Sequence, residues 1–103
     1  MFDEVQTVLV IDDHPLMRKG ILQLIALEDS LRVAGEAGDG RQGLELARRL
    51  QPDLILLDLN MRGLSGLDTL KALKAADPAA RVIVLTVSDS EDDVVAALRA
   101  GAD

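Results

Sequence analysis

The stretch Asp53-Leu54-Ile55-Leu56-Leu57-Asp58-Leu59-Asn60 decides the fold. A short apolar run between Pro52 and the Gly63/Gly66 region has the length and composition of a β-strand buried on both faces, as in a parallel sheet covered by helices. The run ends on a carboxylate, Asp58. In open parallel sheets ligands gather outside the carboxyl ends of the strands, so an acid at that place is a site candidate.

The remaining elements follow from the same reasoning. Val8-Leu9-Val10-Ile11 is a second buried strand ending in acid, Asp12-Asp13, and Pro15 then opens a helix with Met17, Ile21, Leu24 and Ile25 inward. Leu31 to Glu36 mixes apolar with polar or small residues, which suits the outermost strand of a sheet. Asp39, with Gln42 three residues on, caps a helix that turns Leu44, Ala47 and Leu50 inward, carries Arg48-Arg49 at its negative end and stops at Pro52. Beyond Asp58, Ser65 with Asp68 caps a helix using Leu67, Leu70 and Leu73, which ends at Asp77-Pro78. Arg81 to Thr86 reads as a fourth strand, and Ser90 with Asp93 opens a last helix using Val94, Val95 and Leu98. The pattern βαβαβαβα, with short connections, predicts a doubly wound, flavodoxin-like α/β sheet in strand order 2-1-3-4.

Composition narrows the chemistry. The 103 residues suit one compact domain, and no apolar run approaches the length of a membrane span, so the expectation is a cytoplasmic protein. There is no cysteine, so a metal would rely on oxygen ligands or on the single His14. A net charge of -7 and a lone aromatic residue, Phe2, argue against direct nucleic-acid binding by this segment, which needs clustered cations and stacking surfaces.

In the predicted strand order Asp12, Asp13 and Asp58 converge. Three neighbouring carboxylates repel one another, and a hard divalent cation such as Mg²⁺ relieves that repulsion while leaving positions open for phosphate oxygens. A carboxylate in such a site can act as a nucleophile toward phosphorus and form an aspartyl phosphate. Asp58 stands alone and is the candidate acceptor, Asp12-Asp13 are paired as ligands should be, and Thr86 at the end of the adjoining strand could hydrogen-bond to phosphoryl oxygens. Beside these stand plainer readings: His14 as a helix-start residue, Asp39, Ser65 and Ser90 as caps, Asp92 and Asp93 as acids favouring a helix N-terminus, and Met17 with the leucine stripes as core.

With these residues on hand, Val8 to Pro15, Asp53 to Gly66, Val82 to Ser88 and Gly101-Ala102-Asp103 resemble a bacterial response-regulator receiver domain, over essentially the whole chain. Ile11-Asp12-Asp13-His14-Pro15, Gly35-Glu36-Ala37 and Glu91-Asp92-Asp93-Val94-Val95 resemble the NarL/FixJ class, with nitrate/nitrite regulators nearest. The resemblance implies that Asp58 accepts a phosphoryl group from a sensor histidine kinase. It implies that Asp13 and Asp58 bind Mg²⁺ directly together with the Asn60 backbone carbonyl, that Asp12 acts through water, and that Thr86 is the switch hydroxyl. It further implies DNA binding by a C-terminal helix-turn-helix domain, for which this sequence has no segment.

Two departures from the family pattern stand out. Arg62 occupies the place of a usual proline, and the family's lysine at the end of a fifth strand has no counterpart, since Lys19, Lys71 and Lys74 all fall on predicted helices. The expectation is a receiver domain over residues 1–103 that lacks the fifth βα unit. Such a domain would expose apolar surface beside the fourth strand and near the first helix, and would self-associate through the open fourth-strand edge. A phosphatase would want a second acid two residues past the nucleophile, where Asn60 stands, which counts against a turnover enzyme. A phosphorylation-independent interaction module is the rival reading.

Overall fold

The computed structural model describes residues 5–59 and 66–85. Within them the elements are β1 (Gln6–Ile11), α1 (Pro15–Ala26), β2 (Leu31–Ala37), α2 (Gly40–Leu50), β3 (Leu54–Asp58), α3 (Gly66–Ala76) and β4 (Val82–Leu85). All strand pairings are parallel and the order is β2-β1-β3-β4, as the sequence predicts, with the mixed Leu31–Ala37 strand at the edge. Asn60, Arg62, Ser65, Thr86 and the helix expected after Ser90 lie outside the described residues.

The two central strands are apolar on both faces because each face meets a helix layer. Leu9 and Ile11 of β1 and Ile55 and Leu57 of β3 pack with Leu70, Leu73 and Val82 in one core cluster, on the side of α2 and α3. Val8 and Val10 pack with Ile25 of α1 on the other, where Leu54 and Leu56 join them. Each fully buried aliphatic side chain contributes about 1.5–3 kcal/mol relative to exposure, so β1 and β3 are the best-anchored elements of the domain.

An irregularity in β2 sets how the edge strand contributes. Val8 pairs with Val33 but Leu9 pairs with Gly35, so Ala34 is one extra residue, a β-bulge. The bulge reverses the alternation: Leu31 and Val33 pack toward α1, whereas Ala37 joins the cluster under α2. Gly35 then lies under α2, where a Cβ would come within 3.0 Å of the Leu50 side chain.

The helices start and stop for local reasons. Pro15 occupies the first turn of α1 after His14, which caps without a side-chain hydrogen bond. Asp39 caps α2 by accepting from the Gln42 amide at 2.7 Å, and Gln42 Oε1 accepts in return from the Gly38 amide at 3.0 Å. Gln51 takes a left-handed conformation (φ 44°) as the C-cap of α2, immediately before Pro52. The foot of the sheet is tied across β1 and β3, where the Thr7 amide donates to Asp53 Oδ2 at 2.8 Å and the Asp53 amide donates to Thr7 Oγ1 at 3.0 Å.

Three expected core residues are not core. Met17 is 40% exposed, Leu24 67% and Leu50 39%. On α1 the inward face is set by Ile21 and Ile25; at about 100° per residue Leu22 and Leu24 flank it equally on opposite sides, and the helix is turned so that Leu22 packs and Leu24 is exposed. Leu50, in the last turn of α2, lies over Gly35 at the sheet edge. Leu16, Leu27 and Ile83 are also exposed.

Candidate functional site

Strand order reverses between β1 and β3, and the crevice at their carboxyl ends is the topological switch point of the sheet. Ile11 pairs with Leu57, so the next residue on each strand is an aspartate, Asp12 or Asp58. The backbone around them is pinned on both sides. The Asp12 amide donates to the Ala37 carbonyl at 3.0 Å, Asp58 pairs with Leu85, and the Leu59 amide donates to the Leu85 carbonyl at 3.2 Å.

Asp12, Asp13 and Asp58 are therefore brought together, and the structure adds His14. One donor atom from each of these four residues lies within 4.8 Å of the others. Asp12 is wholly buried and Asp58 nearly so, while the Asp13 side chain keeps 14% of its exposure. His14 Nδ1 is 2.9 Å from Asp12 Oδ1, 3.0 Å from Asp13 Oδ1 and 3.0 Å from Asp58 Oδ2. The His14 amide also donates to Asp12 Oδ1 at 2.8 Å, which folds the loop so that the ring faces the carboxylates. The hydrogen bond to Asp12 raises the His14 pKa above its ordinary 6.5; burial opposes the shift, and the charges of Asp13, Asp12 and Asp58 add to it.

The loop after β1 has a second support that the sequence did not disclose. Arg18, on the inward side of α1, donates from Nη1 to the Asp12 carbonyl at 2.7 Å and from Nε to Glu36 Oε1 at 3.0 Å. One side chain thus joins α1, the end of β1 and the end of β2. A cleft lined by Asp13, His14, Gly38 and Asp39 opens beside the site and brings the Asp13 carboxylate to its wall.

The residues fit a hard divalent cation. Asp12 Oδ2 is buried with no hydrogen-bond partner, a costly state for a carboxylate oxygen unless a cation or its water completes it. Carboxylate oxygens are the donors Mg²⁺ prefers. The other predicted site groups, the Asn60 carbonyl and the Thr86 hydroxyl, lie outside the described residues.

Comparison with known proteins agrees with this geometry. The family model of the response regulator receiver domain matches residues 8–103, and the chain belongs to that family. Among characterised relatives, the nitrate/nitrite response regulator NarL of Escherichia coli K12 is 53% identical over 100 residues, which are 97% of this chain and 46% of that protein. NarP of the same strain, also a nitrate/nitrite response regulator, is 55% identical over 96 residues, covering 93% of this chain and 45% of NarP. The chain thus spans about half the length of the relatives it matches, and its receiver sequence is of the NarL/NarP type.

Solved structures give the same answer. The signal receiver domain of a response regulator described as NarL from Mycobacterium tuberculosis superposes with a TM-score of 0.90 at 38% identity, over 96% of this chain and 80% of that one. The isolated receiver domain of RcsB from Salmonella enterica, determined with the phosphomimetic BeF₃⁻, superposes with a TM-score of 0.89 at 25% identity, over 96% and 74%.

Proposed function

We propose that this chain is a phosphoryl-accepting switch in which Asp58 is the acceptor and a sensor histidine kinase the donor. The observation that carries this reading is the placement of a nearly buried Asp58 at the end of β3 beside Asp12 and Asp13. An Asp58 carboxylate oxygen attacks phosphorus, the new P–O bond replaces the P–N bond of the kinase phosphohistidine, and the leaving imidazole nitrogen keeps the electron pair. Asp12, Asp13, Asp58 and the Asn60 carbonyl would hold Mg²⁺. When bound, Mg²⁺ neutralises charge on the carboxylates and the incoming phosphoryl oxygens.

This chain's own part is positional. The β1 and β3 cores fix the carboxylates, and Arg18 holds the Asp12 carbonyl, so little reorganisation is needed when phosphoryl charge arrives. Thr86 is assigned the role of switch hydroxyl. The phosphomimetic complex of the related receiver domain supports acceptor chemistry in this fold. The chain acts as a switch and not as a turnover enzyme.

The likeness to NarL and NarP supports a nitrate/nitrite signal, a cytoplasmic setting and an output on transcription, with DNA bound by a separate C-terminal domain of the full-length regulator. No helix among the described residues is long and apolar enough to cross a membrane. Self-association through β4 belongs to the same reading, supported by the exposed apolar side chain of Ile83.

The test is the intact mass of the chain after incubation with a small phosphodonor, with and without Mg²⁺, beside Asp58→Asn. A single phosphoryl adduct that requires both Mg²⁺ and Asp58 is expected. An adduct that persists in Asp58→Asn contradicts the assignment.

A further inference from the structure

His14 is the one site group whose place the acceptor chemistry leaves unexplained. It begins a helix, yet its side chain makes no capping hydrogen bond. Its Nδ1 instead lies 2.9–3.0 Å from one oxygen of each of three aspartates. In the metal-free site these separations to Asp12 and Asp58 are hydrogen bonds of the ring, and they also match adjacent donors of an octahedron, which lie about 3.0 Å apart when the metal–donor distance is about 2.1 Å. Independently, the other oxygen of the same wholly buried Asp12 carboxylate, Oδ2, has no hydrogen-bond partner.

From this geometry we infer that His14 Nδ1 is a fourth protein donor to the cation held by Asp12, Asp13 and Asp58, which gives the site a preference for borderline divalent ions such as Co²⁺ or Mn²⁺ over Mg²⁺. The inference rests on the cation site proposed above. Three carboxylates alone form an all-oxygen set suited to Mg²⁺, whereas imidazole adds affinity along the first-row series and little for Mg²⁺. Asp12 Oδ1, the oxygen 2.9 Å from Nδ1, also accepts from the His14 amide and so steers the ring, and the unpartnered Oδ2 is left for a water of the cation.

The experiment is titration of the 103-residue chain with Mg²⁺, Mn²⁺ or Co²⁺ alone, followed by calorimetry at about pH 8. The proteins are wild type, His14→Ala, His14→Asn and Asp58→Asn, each checked for fold by circular dichroism. Electron spin echo modulation of bound Mn²⁺ reports directly on a coordinating imidazole nitrogen. The expected result is a nitrogen coupling in wild type that is absent from both His14 variants. Co²⁺ affinity should fall about tenfold or more in those variants, while Mg²⁺ affinity changes by less than about threefold.

Metal binding that depends on Asp58 but shows no nitrogen coupling and no change in His14→Ala overturns this inference alone and leaves the acceptor site standing. Tighter Mg²⁺ binding in His14→Ala without loss of Co²⁺ binding also overturns it, because the ring would then obstruct the pocket. Absence of cation binding in wild type overturns both this inference and the Mg²⁺ site on which it rests.

Discussion

Two glycine-to-alanine substitutions should have opposite signs. Gly66 is the buried first residue of α3, and a Cβ there would lie 2.2 Å from Leu59 Cα and 2.6 Å from the Leu59 carbonyl carbon and oxygen. Packed carbons sit at about 3.5–4.0 Å, so relief requires roughly 1.3 Å or more of movement between two stretches of backbone. Overpacking of this kind costs about 1–3 kcal/mol and exceeds the gain of at most about 1 kcal/mol from alanine's helix propensity.

Gly20 is the control. It lies inside α1, and a Cβ added there would meet nothing within 4 Å, so Gly20→Ala should stabilise by about 0.5–1 kcal/mol. In a domain of this size each kcal/mol shifts Tm by about 4–8 °C, so thermal and urea denaturation followed by circular dichroism resolve both effects. Because Leu59 follows Asp58 directly, Gly66→Ala should also slow phosphoryl uptake, and Gly20→Ala should not. Equal signs for the two substitutions, or a stabilised Gly66→Ala, would refute the close-approach argument.

Other consequences follow from the same packing and charges. Leu57→Ala, at a fully buried position of β3, should cost about 2–5 kcal/mol in urea denaturation, and a loss below about 1 kcal/mol would remove β3 from the centre of the core. The raised His14 pKa stabilises the metal-free fold fully below pH 6.5, and that contribution is lost as pH rises through the higher folded-state value. In chelator, the stability advantage of wild type over His14→Ala should therefore be full below pH 6.5 and shrink as pH rises above it through the higher folded-state value, and a constant gap would contradict the ring's placement among the carboxylates. Sedimentation at rising concentration should show self-association that Ile83→Lys weakens, and a monodisperse monomer throughout would end the β4-edge proposal.

The legible part of this molecule is the part fixed by period and punctuation. Short aliphatic runs ending in Asp13 and Asp58 gave both strands and their ends, and the mixed Leu31–Glu36 stretch gave the edge, because burial on two faces leaves no room for polar residues. What escaped depends on geometry between elements. The Ala34 bulge needs the register of β1 against β2, which composition does not carry. Leu22 in place of Leu24 on the inward side of α1 depends on a rotation of the helix that an abundance of leucines leaves open. In the site, Asp12, Asp13 and Asp58 were readable as strand ends. His14 was readable as a helix start but not as a ring turned onto three carboxylates, and Arg18, on the helix that follows, gave no signal of its bond to Asp12. His14 does have a readable signal, its position directly after an acid pair that closes a strand.

The central claim is that the Asp58 carboxylate becomes an acyl phosphate, and trapping that species tests it most directly. The chain would be phosphorylated with Mg²⁺ present, treated with hydroxylamine to convert an acyl phosphate to a hydroxamate, and mapped by peptide mass spectrometry. The account predicts a hydroxamate on Asp58, with Asp12 and Asp13 unmodified. A hydroxylamine-resistant adduct, or a hydroxamate on Asp12 or Asp13 in place of Asp58, would contradict it.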